Sequence, residues 1–138
     1  MGGHIVATTS IDLQGAVRAL DAEFIRNANA GDAAALVRDF YADGAVLLAP
    51  GAPRFDGTEA IRAFWQGFID GGVKDIWIET SEIVEAGELG YGVGAYACSV
   101  VAANGEWSRD SGKYIVIYRR QADGGWKVIA DQFNSDLP

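Results

Sequence analysis

One cysteine, one histidine, one methionine and three prolines among 138 residues set the first limits. Cys98 has no second cysteine for an internal disulfide. With His4 as the sole histidine, no His/Cys metal centre can be built, and no motif asks for a cofactor, so none is expected. Basic residues are also few. The 11 Lys and Arg face 19 Asp and Glu, a formal charge of −8 that repels a phosphate backbone and argues against nucleic acid as a partner. No apolar run approaches the roughly 20 residues that cross a bilayer, which argues against a membrane partner. The N-terminus lacks a basic start followed by an apolar run, so a cytoplasmic location is expected.

What is present suits one domain over residues 1–138. Hydrophobic types make up 49% of the chain, enough for a core at this length. In the first half the apolar period is helical. Leu13, Ala16, Val17, Leu20, Phe24 and Ala28 share a helix face, with Thr9 and Asp12 at capping-box spacing before them and Gly31 after. Asp32 can cap a short second helix carrying Leu36 and Phe40. A strand over 45–49 stops at Pro50-Gly51. A third helix near 57–70 follows Asp56, with Ile61, Phe64, Trp65 and Phe68 on its inner face.

After Gly72 the period changes to two. Strands are expected over 73–86, from Leu89 to about Val101, over Lys113–Arg120 and over Trp126–Phe133, with Asn104-Gly105 as a hairpin signal. Helices followed by an antiparallel meander give an α+β fold with the helices on one sheet face. Strands with two apolar faces and helices for only one of them predict a homodimer, with Ile115, Ile117, Tyr96 and Cys98 at or near the partner.

Candidate chemistry is sparse. Asp75, Glu79, Glu82, Glu85 and Glu88 read as a solvated strand face, with 79 and 85 opposite to 82, so they make no metal site. Gly90, Gly92 and Gly94 lie in a strand, where they strip side chains from one face and permit curvature or close backbone approach; they do not open a helix as a phosphate loop would. Cys98, in an apolar strand, reads as a small core hydrophobe. Asp131 differs. Alternation puts it on one face with Ile129 and Phe133, and a carboxylate on such a face is either hydrogen-bonded or raised in pKa. It serves acid–base work, or it is a structural partner of Lys113, Arg109 or a tyrosine.

Asn29-Ala-Gly-Asp32, Phe40-Tyr-Ala-Asp-Gly-Ala45, Gly57-Thr-Glu-Ala-Ile-Arg-Ala-Phe-Trp65, Gly112-Lys-Tyr114 and Gly124-Gly-Trp-Lys127 together resemble the nuclear-transport-factor-2-like superfamily. The similarity is to its ketosteroid-isomerase-like and SnoaL-like polyketide-cyclase-like branches over about residues 12–136. The tail over 126–131 looks most like a bacterial branch near the calcium/calmodulin-dependent kinase association domains. The resemblance implies three helices against a cone-shaped, curved antiparallel sheet that encloses an apolar pocket and often dimerises through its outer face. Tyr114, Val116 and Tyr118 would then face the cone.

By the same resemblance, the ketosteroid isomerase base falls at Ala49, its oxyanion tyrosine at Phe24, the supporting tyrosine at Trp65 and its protonated aspartate near Tyr114. Isomerisation of steroids is therefore not expected. The implied ligand-binding residues are Phe24, Leu47, Ala49, Trp65, Phe68, Tyr91, Val93, Ala95 and Phe133, with Ala97 also turned inward and Asp131 and Tyr114 as the catalytic candidates. The expected partner is a small apolar or aromatic molecule. Two further readings remain open: an isomerase, cyclase or dehydratase using Asp131 and Tyr114, and a non-enzymatic association module.

Overall fold

The computed structural model describes residues 12–137. Thr9 and His4 lie outside the described residues. Three helices pack on one face of a six-stranded sheet: α1 (Leu13–Asn29), α2 (Ala33–Phe40) and α3 (Thr58–Asp70), with β1 (Tyr41–Leu48), β2 (Phe55–Asp56), β3 (Lys74–Ala86), β4 (Leu89–Val101), β5 (Trp107–Arg120) and β6 (Trp126–Ser135). The strand order is β2-β1-β6-β5-β4-β3. All neighbours are antiparallel except β1 and β6, which run parallel, so the long meander expected from the sequence is extended by a pair formed between the first and last strands.

Local chemistry sets the helix ends. Asp12 is the N-cap of α1, its side chain accepting from the Gly15 amide at 2.8 Å, and the Glu85 carboxylate accepts from Leu13 N–H at 2.9 Å. Two of the orphan donors at the helix start are thereby satisfied, one of them from β3. Asp32 caps α2 in the same way through Ala35 N–H. The α1 stripe Leu13, Val17, Leu20, Phe24 and Ala28 is buried as its spacing requires.

Two bulges decide which side chains meet the helices. In β6 the register with β5 slips by one residue between Val128 and Ala130, leaving Ile129 unpaired. Trp126 and Val128 are buried before the bulge and Asp131 after it, while Ile129 is only half-buried. Asp131 therefore shares its face with Trp126, Val128 and Phe133, and the grouping with Ile129 expected from strict alternation is corrected. In β3 the slip leaves out Ser81. Glu79 and Glu82 consequently point outward together, while Glu85 turns toward α1; the expected opposition of 79 to 82 does not occur.

Candidate functional site

Between α1, α2, α3 and the concave sheet face lies a cavity of about 50 Å³. Its wall is mostly aromatic and aliphatic: Phe24, Phe40, Trp65, Phe68, Ile76, Ile78, Tyr96, Ala97, Cys98, Tyr114, Val116 and Phe133, with Asp131 among them. The rings lock one another. Phe24 meets Trp65 edge-on at 5.5 Å, and Trp65 stacks on Phe133 at 5.9 Å. Phe68, Tyr96 and Phe133 are only half-buried and form the rim.

Asp131 is the one buried carboxylate among the described residues, 7% exposed. Its Oδ2 accepts a 2.6 Å hydrogen bond from the Tyr41 hydroxyl, whose oxygen accepts in turn from Trp65 Nε1 at 3.1 Å. Among the described residues Tyr41 is its only side-chain donor, and no cation reaches it; Lys113 pairs instead with Asp136 and Arg109 bonds to Ser99. Burial raises its pKa to about 6, with the Tyr41 bond pulling the other way. Burial and the neighbouring carboxylate push the Tyr41 phenol well above its ordinary value, so it stays a donor.

Of the residues expected at the pocket, Phe24, Trp65, Phe68, Ala97, Tyr114, Asp131 and Phe133 line it. Leu47 is buried in the core, beside Asp131 in the register, but does not reach the cavity, and Ala49 lies past the end of β1. Tyr91 and Ala95 are exposed on the outer face, and Val93 faces the same way opposite Ile115. Tyr96 and Cys98, expected at a partner, instead face the cavity. One cause accounts for this reversal of β4. Its concave face carries Gly90, Gly92 and Gly94 because no Cβ fits there. One at Gly94 would stand 2.4 Å from the Tyr114 hydroxyl, and one at Gly92 would stand 2.8 Å from that of Tyr118. Tyr114, Val116 and Tyr118 are all buried on the helix side.

Three functional groups escaped the sequence reading. Tyr41 sits where α2 passes directly into β1, inside a motif used only for its family likeness. Thr80 continues the buried alternation Ile76, Ile78, Thr80, and Asp21 stands four residues after Val17, beside the apolar stripe of α1. A polar residue on an apolar face was the available signal in both. No cluster of three or more His, Cys, Asp and Glu that could hold a metal occurs among the described residues. No described helix is long and apolar enough to cross a membrane.

Comparison with solved structures places the fold. A ketosteroid isomerase-like protein from Erwinia carotovora atroseptica superposes with a TM-score of 0.79 at 20% identity, over 90% of this chain and 96% of that one. A nuclear transport factor 2-like protein with a cystatin-like fold from Novosphingobium aromaticivorans gives 0.75 at 16% identity, over 90% and 82%. A nuclear transport factor 2-like superfamily protein from Salmonella enterica serovar Typhimurium gives 0.74 at 10%, over 92% and 95%. No curated protein matches the chain. These structures share the nuclear-transport-factor-2-like fold of this chain, and the SnoaL-like domain matches residues 22–129, so this chain belongs to the SnoaL-like domain family.

Proposed function

We propose that the cone binds a small, largely apolar molecule and that Asp131 makes its principal polar contact. The observation that carries this is a buried carboxylate, held by Tyr41 and Trp65, set in an otherwise aromatic wall. At about 50 Å³ the cavity is smaller than the roughly 150 Å³ apolar hole that takes up benzene. A one-ring ligand therefore enters by displacing the half-buried Phe68 and Phe133 at the rim. A carboxylate with a pKa of about 6 exchanges a proton readily near neutral pH, which is compatible with isomerase, cyclase or dehydratase chemistry on such a ligand. Ketosteroid isomerase geometry does not support that activity, because Ala49 stands outside the cavity and Phe24 offers only its ring. The test is native mass spectrometry of the protein as purified, with 19F NMR titration of 4-fluorophenol into the wild type and Asp131→Asn. Bound small molecule, and weaker binding in the variant with its fold intact, is the expected result. No uptake by the wild type would overturn the reading.

A second observation favours self-association. Val84, Tyr91 and Ile117 pair across β3, β4 and β5 on the outer face, each at least 40% exposed, and Ile115 adds to the row. We propose that a second copy covers this face. Sedimentation is expected to show a dimer that Ile117→Lys dissociates; a wild-type monomer at micromolar concentration would rule it out.

A further inference from the structure

A second polar chain, separate from the Tyr41–Asp131 bond, runs to the cavity wall. Half-buried Asp21, on α1, accepts from Thr80 Oγ1 at 2.8 Å and from Thr80 N–H at 3.1 Å, both on Oδ2. Thr80 is 1% exposed, and its hydroxyl oxygen lies 2.8 Å from that of Tyr114, a lining residue. A threonine hydroxyl has one proton. Committed to the Asp21 carboxylate, it leaves Tyr114 to be the donor in the Thr80–Tyr114 bond. The Tyr114 oxygen then offers only lone pairs to any other group.

The surroundings hold this arrangement. Gly94 gives the Tyr114 hydroxyl its place on β4, since any Cβ there would collide with it. Tyr118 lies alongside, its hydroxyl buried and outside hydrogen-bond geometry with Thr80. Asp21 is faced by Arg18 from its own helix, by Thr80 from β3 and by the two tyrosines from β5, and the outward Glu79 acts on it through its charge. Burial raises the pKa of Asp21, and the Thr80 bonds and Arg18 oppose that rise.

We propose that the Tyr114 hydroxyl is a second polar contact for the ligand of the cone, and that Thr80 and Asp21 are positioning residues that hold it as a hydrogen-bond acceptor. This selects an apolar ring bearing a hydroxyl donor, a phenol or alcohol, over a ketone of similar shape. The inference rests on the ligand-binding reading of the cavity and adds a specificity to it.

The test compares affinities for phenol and cyclohexanone by NMR titration at pH 8. The wild type is expected to prefer phenol. Tyr114→Phe should reduce the preference by about three- to tenfold, the range of one hydrogen bond. Thr80→Val frees the tyrosine proton to point at the ligand and should shift the preference toward cyclohexanone, and Asp21→Ala should shift it the same way. Thr80→Ser keeps the hydroxyl and should restore the wild-type ratio, which a purely structural role for Thr80 does not require. If both probes bind and the ratio is the same in Tyr114→Phe and wild type, this inference is overturned while the cavity reading stands. If neither probe binds the wild type, both fall. Should Thr80→Val not fold, the Tyr114→Phe ratio still decides.

Discussion

The Tyr41 hydroxyl donates to Asp131 across 2.6 Å, joining residues 90 positions apart in the chain. Tyr41 opens β1 directly after the last residue of α2, and Asp131 lies in β6, which runs parallel to β1. The bond therefore ties β1 to β6 at the place where the helical layer joins the sheet. It also ties the charge state of the cavity to the stability of the whole fold.

The first prediction concerns pH. The carboxyl of Asp131 is raised from 3.8 in the unfolded chain to about 6 in the fold. A raised carboxyl means that the folded state holds its proton more tightly. Its stabilising contribution is complete below the unfolded value and is lost as pH rises through about 6. That shift corresponds to about 3 kcal/mol. Urea denaturation at pH 4 and pH 8 should show the wild type losing most of that amount relative to Asp131→Asn. An equal difference at both pH values would refute the raised carboxyl.

Tyr41→Phe removes the only side-chain donor to Asp131 among the described residues and the acceptor of Trp65 Nε1. The Tyr41 bond lowers the Asp131 pKa, so its loss should move the titration upward from about 6, as followed by 13C NMR of the carboxyl. Stability should fall by about 1–3 kcal/mol at pH 8, where the carboxylate is ionised, and by less at pH 5.

Two glycines make a matched pair. At Gly94 a Cβ would meet the Glu79 carbonyl oxygen at 2.3 Å as well as the Tyr114 hydroxyl, and backbone cannot step aside cheaply. Gly94→Ala should cost about 3 kcal/mol or more by the mechanism of overpacking and displace Tyr114 from Thr80. Gly67, inside α3, has nothing within 4 Å of the same position. Gly67→Ala should stabilise by about 0.5–1 kcal/mol. Thermal melts of the two variants, moving in opposite directions, check both.

The helices were legible because each carries its own signal. Leu13 through Ala28 repeat at helical steps, Asp12 and Asp32 are caps, and the inner face of the third helix holds Ile61 and Trp65 as spaced. The five longer strands were legible too, while the two-residue β2 was not, and Tyr114, Val116 and Tyr118 in β5 face the helices as the family resemblance implies. Facing failed where it depends on a neighbour. Whether Tyr91 or Gly92 points inward is settled by the Tyr118 ring arriving from β5, and no feature of β4 alone records that. The site divided along the same line. Asp131 announces itself as an acid on an apolar strand, but its partner Tyr41 is set by the parallel β1–β6 pairing, and two strands at opposite ends of a chain leave no local trace of their register.

The unpaired Ile129 fixes the phase of everything after it in the last strand. Were Ile129 instead to pair with Ile117 in a strand of the same length, strict alternation would return and rotate Asp131 and Phe133 to the outer surface together, without altering either residue. The cone would then lose its carboxylate, and the outer row around Ile117 would gain a charge beside it. In this architecture a shift of one residue in strand pairing can therefore change a chemical role as completely as a substitution. An aspartate kept at this position would do different work in a strand of the same length that lacked the bulge.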